Sequence, residues 1–348
     1  MGDSSGPPGH DRRYRGLRTM LWRRGKEVVE GLPVDEISGH LREKDSLVWV
    51  DLCAPSRRAL ARLASELSLD RRSIEDSLAN AERPKATWHT SRTVVTVYAT
   101  RLRTTEPTVR GPMESRLETS PIISIVLARG FVTVRRDNHF DMEKVLQGWQ
   151  DRTPLLEHGP KALLHGLLDA VVDAHFDTIQ ALDDTIEELE DGLFDDMADA
   201  HELQRRTYRL RKELVGLRRV VLPMREVVGT VMRHRADNTE RSSELDAWYT
   251  ELYDHVLRAS EWTDSLRDMV ASVFETNVAL QDARLNVIMK KLTGWAGIIA
   301  VPTAVTGWFG MNVTYPGINT VSGFLTSTVV IGLLVLVLYL LFKRRNWI

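Results

Sequence analysis

An uncharged stretch near the end of the 348-residue chain constrains its fold most strongly. No Asp, Glu, Lys, Arg or His occurs from Leu292 to Phe342, a run of 51 residues, whereas the first 291 residues are rich in charge. A helix needs about 20 apolar residues to cross a hydrocarbon core, so this run can hold two spans. Pro316-Gly317, Asn319 and Ser322-Gly323 supply a turn between them. The run therefore predicts a transmembrane helical hairpin.

Basic residues flank the predicted hairpin on both sides. Lys290-Lys291 precede the first span, and Lys343-Arg344-Arg345 follow the second. The positive-inside rule then places both ends of the hairpin in the cytoplasm. The first residues are polar and contain no apolar signal-peptide core, so we expect a flexible tail there. We expect a multi-pass protein of the bacterial inner (plasma) membrane with cytoplasmic N- and C-termini.

Composition argues against several functional classes. Forty-six basic and 48 acidic residues give a net charge of −2, unlike the strongly cationic balance of a dedicated nucleic-acid binder. Cys53 is the sole cysteine, so an intrachain disulfide, a thiolate zinc cage and an iron–sulfur site are excluded. The sequence has no Walker loop, GxGxxG or GxSxG motif, and His201-Glu202 lacks the second histidine of a zinc-protease helix. We expect no enzymatic activity and no nucleic-acid partner.

The region before the hairpin divides into two parts with different periodicity. Short β-branched or aromatic runs predict strands at 47–53, 93–102, 122–127 and 131–134, the last two meeting at Arg129-Gly130. Helical spacing at 56–67 and 73–80 begins at serines that can cap the first turn. After Pro160 a helical period continues for about 30 residues, and a second long helix follows over 201–235. A third begins near Glu240 and continues into the first span, which at 1.5 Å per residue gives a helix on the order of 100 Å long.

The predicted fold class is thus an α+β membrane protein whose segments follow one another along the chain. They are a flexible tail (1–18), a cytoplasmic α/β domain (19–158), a long helical hairpin (159–238), a stalk helix (239–291), two transmembrane helices (292–312 and 324–342) joined by an outer loop (313–323), and a basic cytoplasmic tail (343–348).

Charge is segregated along the predicted helical hairpin. Eight acids lie near the end of its first helix, from Asp183 to Asp196, and seven bases lie at the start of the second, from Arg205 to Arg219. If the helices are antiparallel, these runs face each other and form a surface ion-pair ladder worth little per pair. The alternative is an acidic surface that raises the local concentration of cations. Both interpretations can hold together.

A short motif at the outer end of the first span carries a family resemblance. Phe309-Gly310-Met311-Asn312 is followed by a short loop, a second apolar span and a basic tail. In this position the motif resembles the signature of the CorA-type divalent-cation (magnesium/cobalt) channel family, the two-span proteins with a GMN motif. The similarity covers about residues 45–348 and includes further positions: Ile74-Glu75-Asp76, Arg83-Pro84-Lys85, Arg225-Glu226-Val227, Tyr253-Asp254-His255, Arg267-Asp268, Asn286, Met289, Lys290, Leu292 and Thr293.

The resemblance implies a funnel-shaped homopentamer in the lipid bilayer whose first spans line a central pore. It implies passive influx of divalent cations, above all magnesium and also cobalt or nickel, driven by the membrane potential. The residues support a pore, because small or uncharged polar side chains recur at threes and fours on one helical face. These are Asn286, Met289, Thr293, Ala296, Ala300, Thr303, Gly307 and Gly310. The alternative for this face is a small-residue packing stripe between membrane helices.

The predicted conduction residues follow from this arrangement. Five Asn312 amides, next to Met311 and Gly310, would offer carbonyl acceptors to the water shell that magnesium holds tightly. Thr303 and Asn286 would form further polar rings. Met289 and Leu292 would form a hydrophobic constriction that gates by dewetting.

The resemblance also implies gating by intracellular magnesium, which would be both transported and regulatory. In the family, an acid of the motif matching Ile74-Glu75-Asp76 meets an acid on the stalk helix of a neighbouring protomer. The residues here are Asp76 and Glu251, the latter in place of the Asp of the best-known members. Magnesium between them would hold the pore closed, and its loss would let the two carboxylates repel. The alternative for Asp76 is a solvated helix residue.

Two alternatives remain open, and a departure from the family leads to the first of them. The outer loop has no acid, whereas many magnesium-transporting relatives carry carboxylates there. Zinc normally seeks His or Cys, which the membrane region lacks, but a pore for hydrated ions does not need such ligands. A zinc-transporting member of the same family is therefore one alternative. A non-conducting, membrane-anchored coiled-coil scaffold is the other.

Overall fold

The computed structural model describes residues 16–67, 69, 83–103, 115–151, 156–194, 199–236, 242–311, 317 and 320–348. The chain divides into two compact units, Met1–Ala271 and Ser272–Ile348. Most of the predicted N-terminal tail, and the helix predicted at 73–80, lie outside the described residues.

The first unit contains a seven-stranded sheet with the order β2-β1-β3-β7-β6-β5-β4. Neighbouring strands are antiparallel except β3 and β7, which are parallel. The strands are β1 (Leu17–Arg23), β2 (Lys26–Glu30), β3 (Ser46–Cys53), β4 (Lys85–His89), β5 (Arg92–Leu102), β6 (Leu117–Val126) and β7 (Gly130–Arg135).

Helices cover both faces of the sheet and continue to the end of the chain. They are α1 (Val34–His40), α2 (Arg57–Glu66), α3 (Met142–Asp151), α4 (Pro160–Leu193), α5 (Ala200–Val221), α6 (Met224–Ala236), α7 (Ser243–Phe309) and α8 (Val321–Arg344). The second unit consists of the end of α7, from residue 272, together with α8 and the residues after each of them.

The sheet buries both faces because its central strands alternate two apolar sets of side chains. One set, including Val48 and Ile123, packs on α1 and α2. The other, including Trp49 and Phe131, packs on α3, α4, α6 and the start of α7. Trp149 of α3 lies at the centre of this second core, edge-on to Trp49 at 5.2 Å between ring centroids. Burial of such aromatic surface fixes the helices on the sheet.

The strands predicted from the sequence are those with apolar side chains on both faces. The structure confirms the four predicted strands as β3, β5, β6 and β7. The hairpin between β6 and β7 is closed by a hydrogen bond in which Leu127 N–H donates to the Gly130 carbonyl at 2.8 Å. It also confirms the serine cap of α2, since Ser56 Oγ accepts from Ala59 N–H at 3.2 Å. We did not predict β1, β2 and β4; β2 and β4 are short outer strands rich in polar residues.

The second long helix differs from its prediction. A continuous helix was expected over 201–235, but α5 ends at Val221 and α6 begins at Met224. Pro223 lies between them and has no N–H to donate into a continuing helix. The interruption gives α6 its own packing face, on which Met224, Val227 and Val228 are buried.

Two ion pairs with buried carboxylates tie the sheet to itself and to the helical hairpin. Arg135 of β7 donates from Nη2 to Asp51 of β3, 2.5 Å away, and both side chains are buried. The fully buried Glu213 of α5 accepts from the backbone N–H of Arg116 at 2.7 Å and pairs with its guanidinium at 3.3 Å. Removing one member of such a pair would leave an uncompensated buried charge, so both pairs are expected to specify how β7 and α5 dock.

The charged faces of α4 and α5 meet in part as predicted. Arg206 Nη2 lies 2.8 Å from Glu188 Oε2, which joins the two helices. Arg218, also expected in the ladder, pairs instead with Asp264 of α7 at 3.0 Å. Asp195 and Asp196 lie outside the described residues.

A buried histidine joins α4 to β5. His175 is 1% exposed, and its Nε2 lies 2.8 Å from the Tyr98 carbonyl, which accepts from the neutral ring. Burial, opposed by this hydrogen bond, lowers the pKa of His175 to about 4. The folded protein therefore resists protonation at a site that an unfolded chain protonates readily.

We expect His175 to make the free energy of unfolding fall as pH drops. Below the unfolded pKa of 6.5 the unfolded chain binds a proton that the folded chain does not bind until about pH 4. Between pH 7 and pH 5 the loss should be about 2 kcal/mol. A His175→Gln variant, which keeps a donor for Tyr98 but does not titrate, should lack this part of the pH dependence. Denaturant unfolding followed by tryptophan fluorescence at both pH values measures it.

The matched control is His89→Gln, since His89 is exposed on β4. That variant should retain the wild-type pH dependence. An unchanged pH dependence in His175→Gln would contradict the assignment of a neutral buried ring.

Candidate functional site

Among the residues that the structure describes, two helices are long and apolar enough to cross a membrane. They are α7 and α8, and α8 buries no residue within the chain. The uncharged run begins within α7 at Leu292 and ends within α8 at Phe342. Such exposed apolar surface on a helix fits contact with lipid or with other membrane helices.

One face of α7 packs against α8 and the residues that follow it. Gly294 and Ile298 are buried, and Gly297, Val301 and Val305 are intermediate in exposure. A Cβ atom added at Gly297 would lie 3.5 Å from the Phe342 ring. Small residues on this face let the two helices approach closely.

The predicted conduction residues lie on the opposite face of α7. Ala296, Ala300 and Thr303 each follow a packed residue by two positions, and two positions correspond to about 200° around a helix. The structure leaves the gate residue Leu292 exposed together with the whole predicted stripe: Asn286, Met289, Thr293, Ala296, Ala300, Thr303, Gly307 and Gly310. A stripe that only packed α7 against α8 would be covered by that helix, so the contact with α8 does not account for it.

The predicted gate residues are large exposed apolar side chains on this stripe. Met289 is 56% exposed and Leu292 is 61% exposed. They lie three residues apart, with Asn286 three residues earlier on the same helix. The order along the face is therefore one amide followed by two apolar side chains and then small residues.

Two threonine hydroxyls bond to backbone carbonyls near a proline within α7. Pro302 cannot donate into the helix. Thr306 Oγ1 donates to the Pro302 carbonyl at 2.8 Å, and Thr303 Oγ1 donates to the Ile299 carbonyl at 3.3 Å. Because the Thr303 hydroxyl proton is used within the helix, its oxygen is left to accept from a ligand on the exposed face.

The structure describes part of the C-terminal end of α7. The helix ends at Phe309, Gly310 N–H donates to the Thr306 carbonyl at 2.8 Å, and Met311 is exposed. Asn312, the predicted selectivity residue, lies outside the described residues. Further on, a Cβ at Gly323 would lie 2.2 Å from the Gly317 carbonyl oxygen, so only glycine fits there.

The predicted sensing pair is described for one member only. Glu251 is exposed on α7 in the first unit, and Asp76 lies outside the described residues. Within the described ranges, no group of three or more His, Cys, Asp or Glu side chains is placed to hold a metal ion.

An acidic stripe on α4 was not predicted. Asp169, Asp173 and Asp177 recur every four residues and line a cavity of about 720 Å³ between α3, α4 and the β5–β6 hairpin. Burial and the neighbouring Asp169 carboxylate raise the pKa of Asp173. The sequence signal was the four-residue spacing of the acids on an amphipathic helix.

Comparison with known proteins gives matches along most of the chain. The family of CorA-like Mg²⁺ transporter proteins matches residues 44–344. The cobalt/magnesium transport protein CorA of Thermotoga maritima is 29% identical over 187 residues, 53% of this chain and 52% of that protein. The protein of the same name from Methanocaldococcus jannaschii is 23% identical over 318 residues, 90% of this chain and 95% of that protein.

A solved structure shows the same fold. The complete CorA magnesium transporter from Methanocaldococcus jannaschii superimposes with a TM-score of 0.74 at 20% identity, covering 96% of this chain and 99% of that chain. The sheet unit, the long helices and the two candidate membrane helices thus occur together in a known protein. Members of the matching family are membrane transporters, not enzymes. The chain therefore belongs to the family of CorA-like Mg²⁺ transporter proteins and is a divalent-cation transporter.

Proposed function

We propose that this protein carries out passive influx of divalent cations, with magnesium as the main ion and cobalt or nickel also accepted. The observation that supports this best is the exposed stripe on α7, uncharged between Leu292 and Gly310 and directed away from α8. One α7–α8 hairpin cannot enclose a pore. Several copies arranged with this stripe inward can do so, and the family resemblance gives their number as five.

Self-association would give the exposed stripe of α7 and the exposed apolar side chains of α8 different surroundings. The exposed stripe of α7 carries Thr303 among small side chains, whereas the exposed side chains of α8 are mostly large and apolar and suit contact with lipid. A ring of copies with α7 inside and α8 outside places each surface in its preferred solvent. The proposed assembly is a funnel-shaped homopentamer of the bacterial inner membrane, with both termini in the cytoplasm.

Magnesium suits a pore lined without charge. The ion holds its six waters tightly, so recognising the hydrated ion is cheaper than removing its shell. The Asn312 amide carbonyl and the free lone pairs of Thr303 Oγ1 can accept hydrogen bonds from those waters. A carboxylate at the same place would bind the ion more strongly and slow its exit.

The charge of the ion sets the direction of flux, and the hydrophobic side chains of the proposed gate set when the pore opens. An inside-negative potential favours entry by about 2.3 kcal/mol per charge per 100 mV, doubled for a divalent ion. Rings of Met289 and Leu292 would exclude water when narrow and admit it when wide. No further energy source is needed.

The first test is flux into liposomes that hold a trapped magnesium indicator, under an inside-negative potential. We expect entry with the wild type, and we expect Asn312→Ala to abolish or deregulate it while the protein still assembles. Repeating the assay with cobalt, nickel and zinc ranks the ions. A preference for zinc would identify the zinc-transporting alternative.

An assembled wild type that passes no divalent ion, even after internal magnesium is chelated, would contradict the channel. The non-conducting scaffold would then be the better explanation of the hairpin.

Thr303→Val tests the polar ring within the span. Valine has the same shape but no oxygen, so losing one water-accepting group per copy should lower magnesium entry by about two- to tenfold. The control is Thr328→Val on α8, whose Oγ1 makes the same kind of bond, to the Phe324 carbonyl at 3.0 Å. Equal flux through both variants would remove Thr303 from the pore.

We propose that Asp76 and Glu251 of neighbouring copies hold regulatory magnesium. This rests on the family motif and on the exposed position of Glu251, which leaves its carboxylate accessible to another copy. Magnesium between the carboxylates would favour the closed state, and its loss would shift the population toward the open state.

Glu251→Gln should weaken this control. With one carboxylate fewer, the internal magnesium concentration that closes half the channels should rise by about tenfold. Glu261→Gln, an exposed acid on the same helix, should leave that concentration unchanged. Flux measured over a series of internal magnesium concentrations distinguishes the two, and an unshifted Glu251→Gln would contradict the sensor.

A further inference from the structure

The chain reverses direction just after α8. Asn346 adopts a left-handed backbone with φ of 52°. Its N–H donates to the Lys343 carbonyl at 3.2 Å, and the next N–H, of Trp347, donates to the Phe342 carbonyl at 2.9 Å. These two bonds are those of a Schellman motif, which satisfies the last carbonyls of a helix and turns the chain back on it.

An aromatic stack holds the reversed segment in place. The Trp347 ring lies parallel to the Phe342 ring, with 5.5 Å between centroids and 7° between planes. A contact between these two positions of a Schellman motif is common, but here it also directs the next residue toward α7.

The end of α8 and the reversed segment after it pack against two glycines of α7. A Cβ atom added at Gly294 would lie 3.1 Å from Ile348 Cγ1 and 3.6 Å from the Trp347 carbonyl oxygen. One added at Gly297 would lie 3.5 Å from the Phe342 ring. We call Phe342, Trp347 and Ile348, seated on Gly294 and Gly297, the C-terminal clasp.

The clasp contacts α7 at the level of the predicted gate. Gly294 follows Leu292 by two residues, so the two lie about 3 Å apart along the helix axis and on opposite faces. Any tilt or rotation of α7 at this level would move Leu292 directly. A contact on the back of the helix therefore limits the positions that the gate side chain can take.

We propose that the C-terminal clasp is a positioning element for the gate: it braces α7 from behind and holds Leu292 in its closed position. Trp347 and Gly294 are its positioning residues. This proposal rests on the proposed channel function. It adds that closure depends on a contact between the two membrane helices of one chain, and not only on the cytoplasmic magnesium sensor.

The first experiment compares Trp347→Ala with Trp347→Phe in the liposome assay. At high internal magnesium, Trp347→Ala should raise the residual flux by about tenfold, which corresponds to about 1.4 kcal/mol less favourable closure. Trp347→Phe keeps a ring to stack on Phe342 and should restore low flux. Flux after chelation of internal magnesium should be the same in all three proteins. Equal residual flux in the wild type and Trp347→Ala, or loss of both fluxes in an assembled variant, would overturn the proposal.

A second variant changes the α7 side of the same contact. Gly294→Leu fills the seat of Ile348 and should raise residual flux as Trp347→Ala does, without a further increase when the two are combined. Gly332→Leu is the matched control, since nothing lies within 4 Å of a Cβ added there on α8. Additive effects of Gly294→Leu and Trp347→Ala would mean that they act separately and would overturn the clasp.

A contact measurement separates this proposal from the channel itself. In a Cys53→Ser background, Gly294→Cys with Ile348→Cys should form a disulfide under mild oxidation in the membrane, because the γ position of residue 348 lies 3.1 Å from the Cβ position of residue 294. Protection of both thiols from a maleimide reagent reports it. A crosslink without any divalent flux would remove the proposed function but keep the contact, whereas absence of the crosslink would overturn the clasp even in a conducting protein.

Discussion

The membrane region depends on the need of every backbone polar group in hydrocarbon for a partner within the protein. The two apolar spans within the uncharged run of 51 residues meet that need as helices, because α7 and α8 pair most of their own carbonyls and N–H groups. Pro302 interrupts the pattern, and the hydroxyls of Thr303 and Thr306 bond to nearby carbonyls. Since helix bonds occupy most of the backbone groups, chemistry toward an ion comes mainly from side chains on the exposed face of α7 or from the helix ends.

The first unit contains two ion pairs whose carboxylates are buried. Asp51 with Arg135 joins the only two strands that run parallel among the described neighbours, and Glu213 with Arg116 joins α5 to the residue just before β6. Each carboxylate also accepts a further hydrogen bond, from Thr133 Oγ1 at 2.6 Å and from Arg116 N–H at 2.7 Å. Such pairs add less stability than an apolar contact of the same size, but a wrongly docked strand or helix would leave them unsatisfied. They favour one arrangement of the sheet and the long helices.

Sequence periodicity predicted the elements whose pattern is strong and missed those set by distant contacts. β3, β5, β6 and β7 carry apolar side chains on both faces and were identifiable, whereas β2 and β4 are short and polar and gain order from neighbours such as Trp88 on His234. The exposed face of α7 was predictable from three- and four-residue spacing. The C-terminal clasp was not, because it requires a left-handed Asn346 and a contact between residues 294 and 348 that no local pattern encodes. The roles of Asn312 and Asp76 rest on the family motif, since both lie outside the described residues.

A pore without charge makes the ion's own water shell the main source of stabilisation. In the proposed pentamer, Ala296, Ala300 and Gly307 contribute little volume to the stripe, which leaves room for a hydrated ion rather than a bare one. Thr303 and Asn312 then only need to orient water, and the ion is never held strongly enough to stop. Control must in that case come from geometry, because no carboxylate along the span can be neutralised to open or close it. The proposed gate of Met289 and Leu292 would respond to displacements of α7 by a few ångströms, and the proposed brace at Gly294 would limit those displacements.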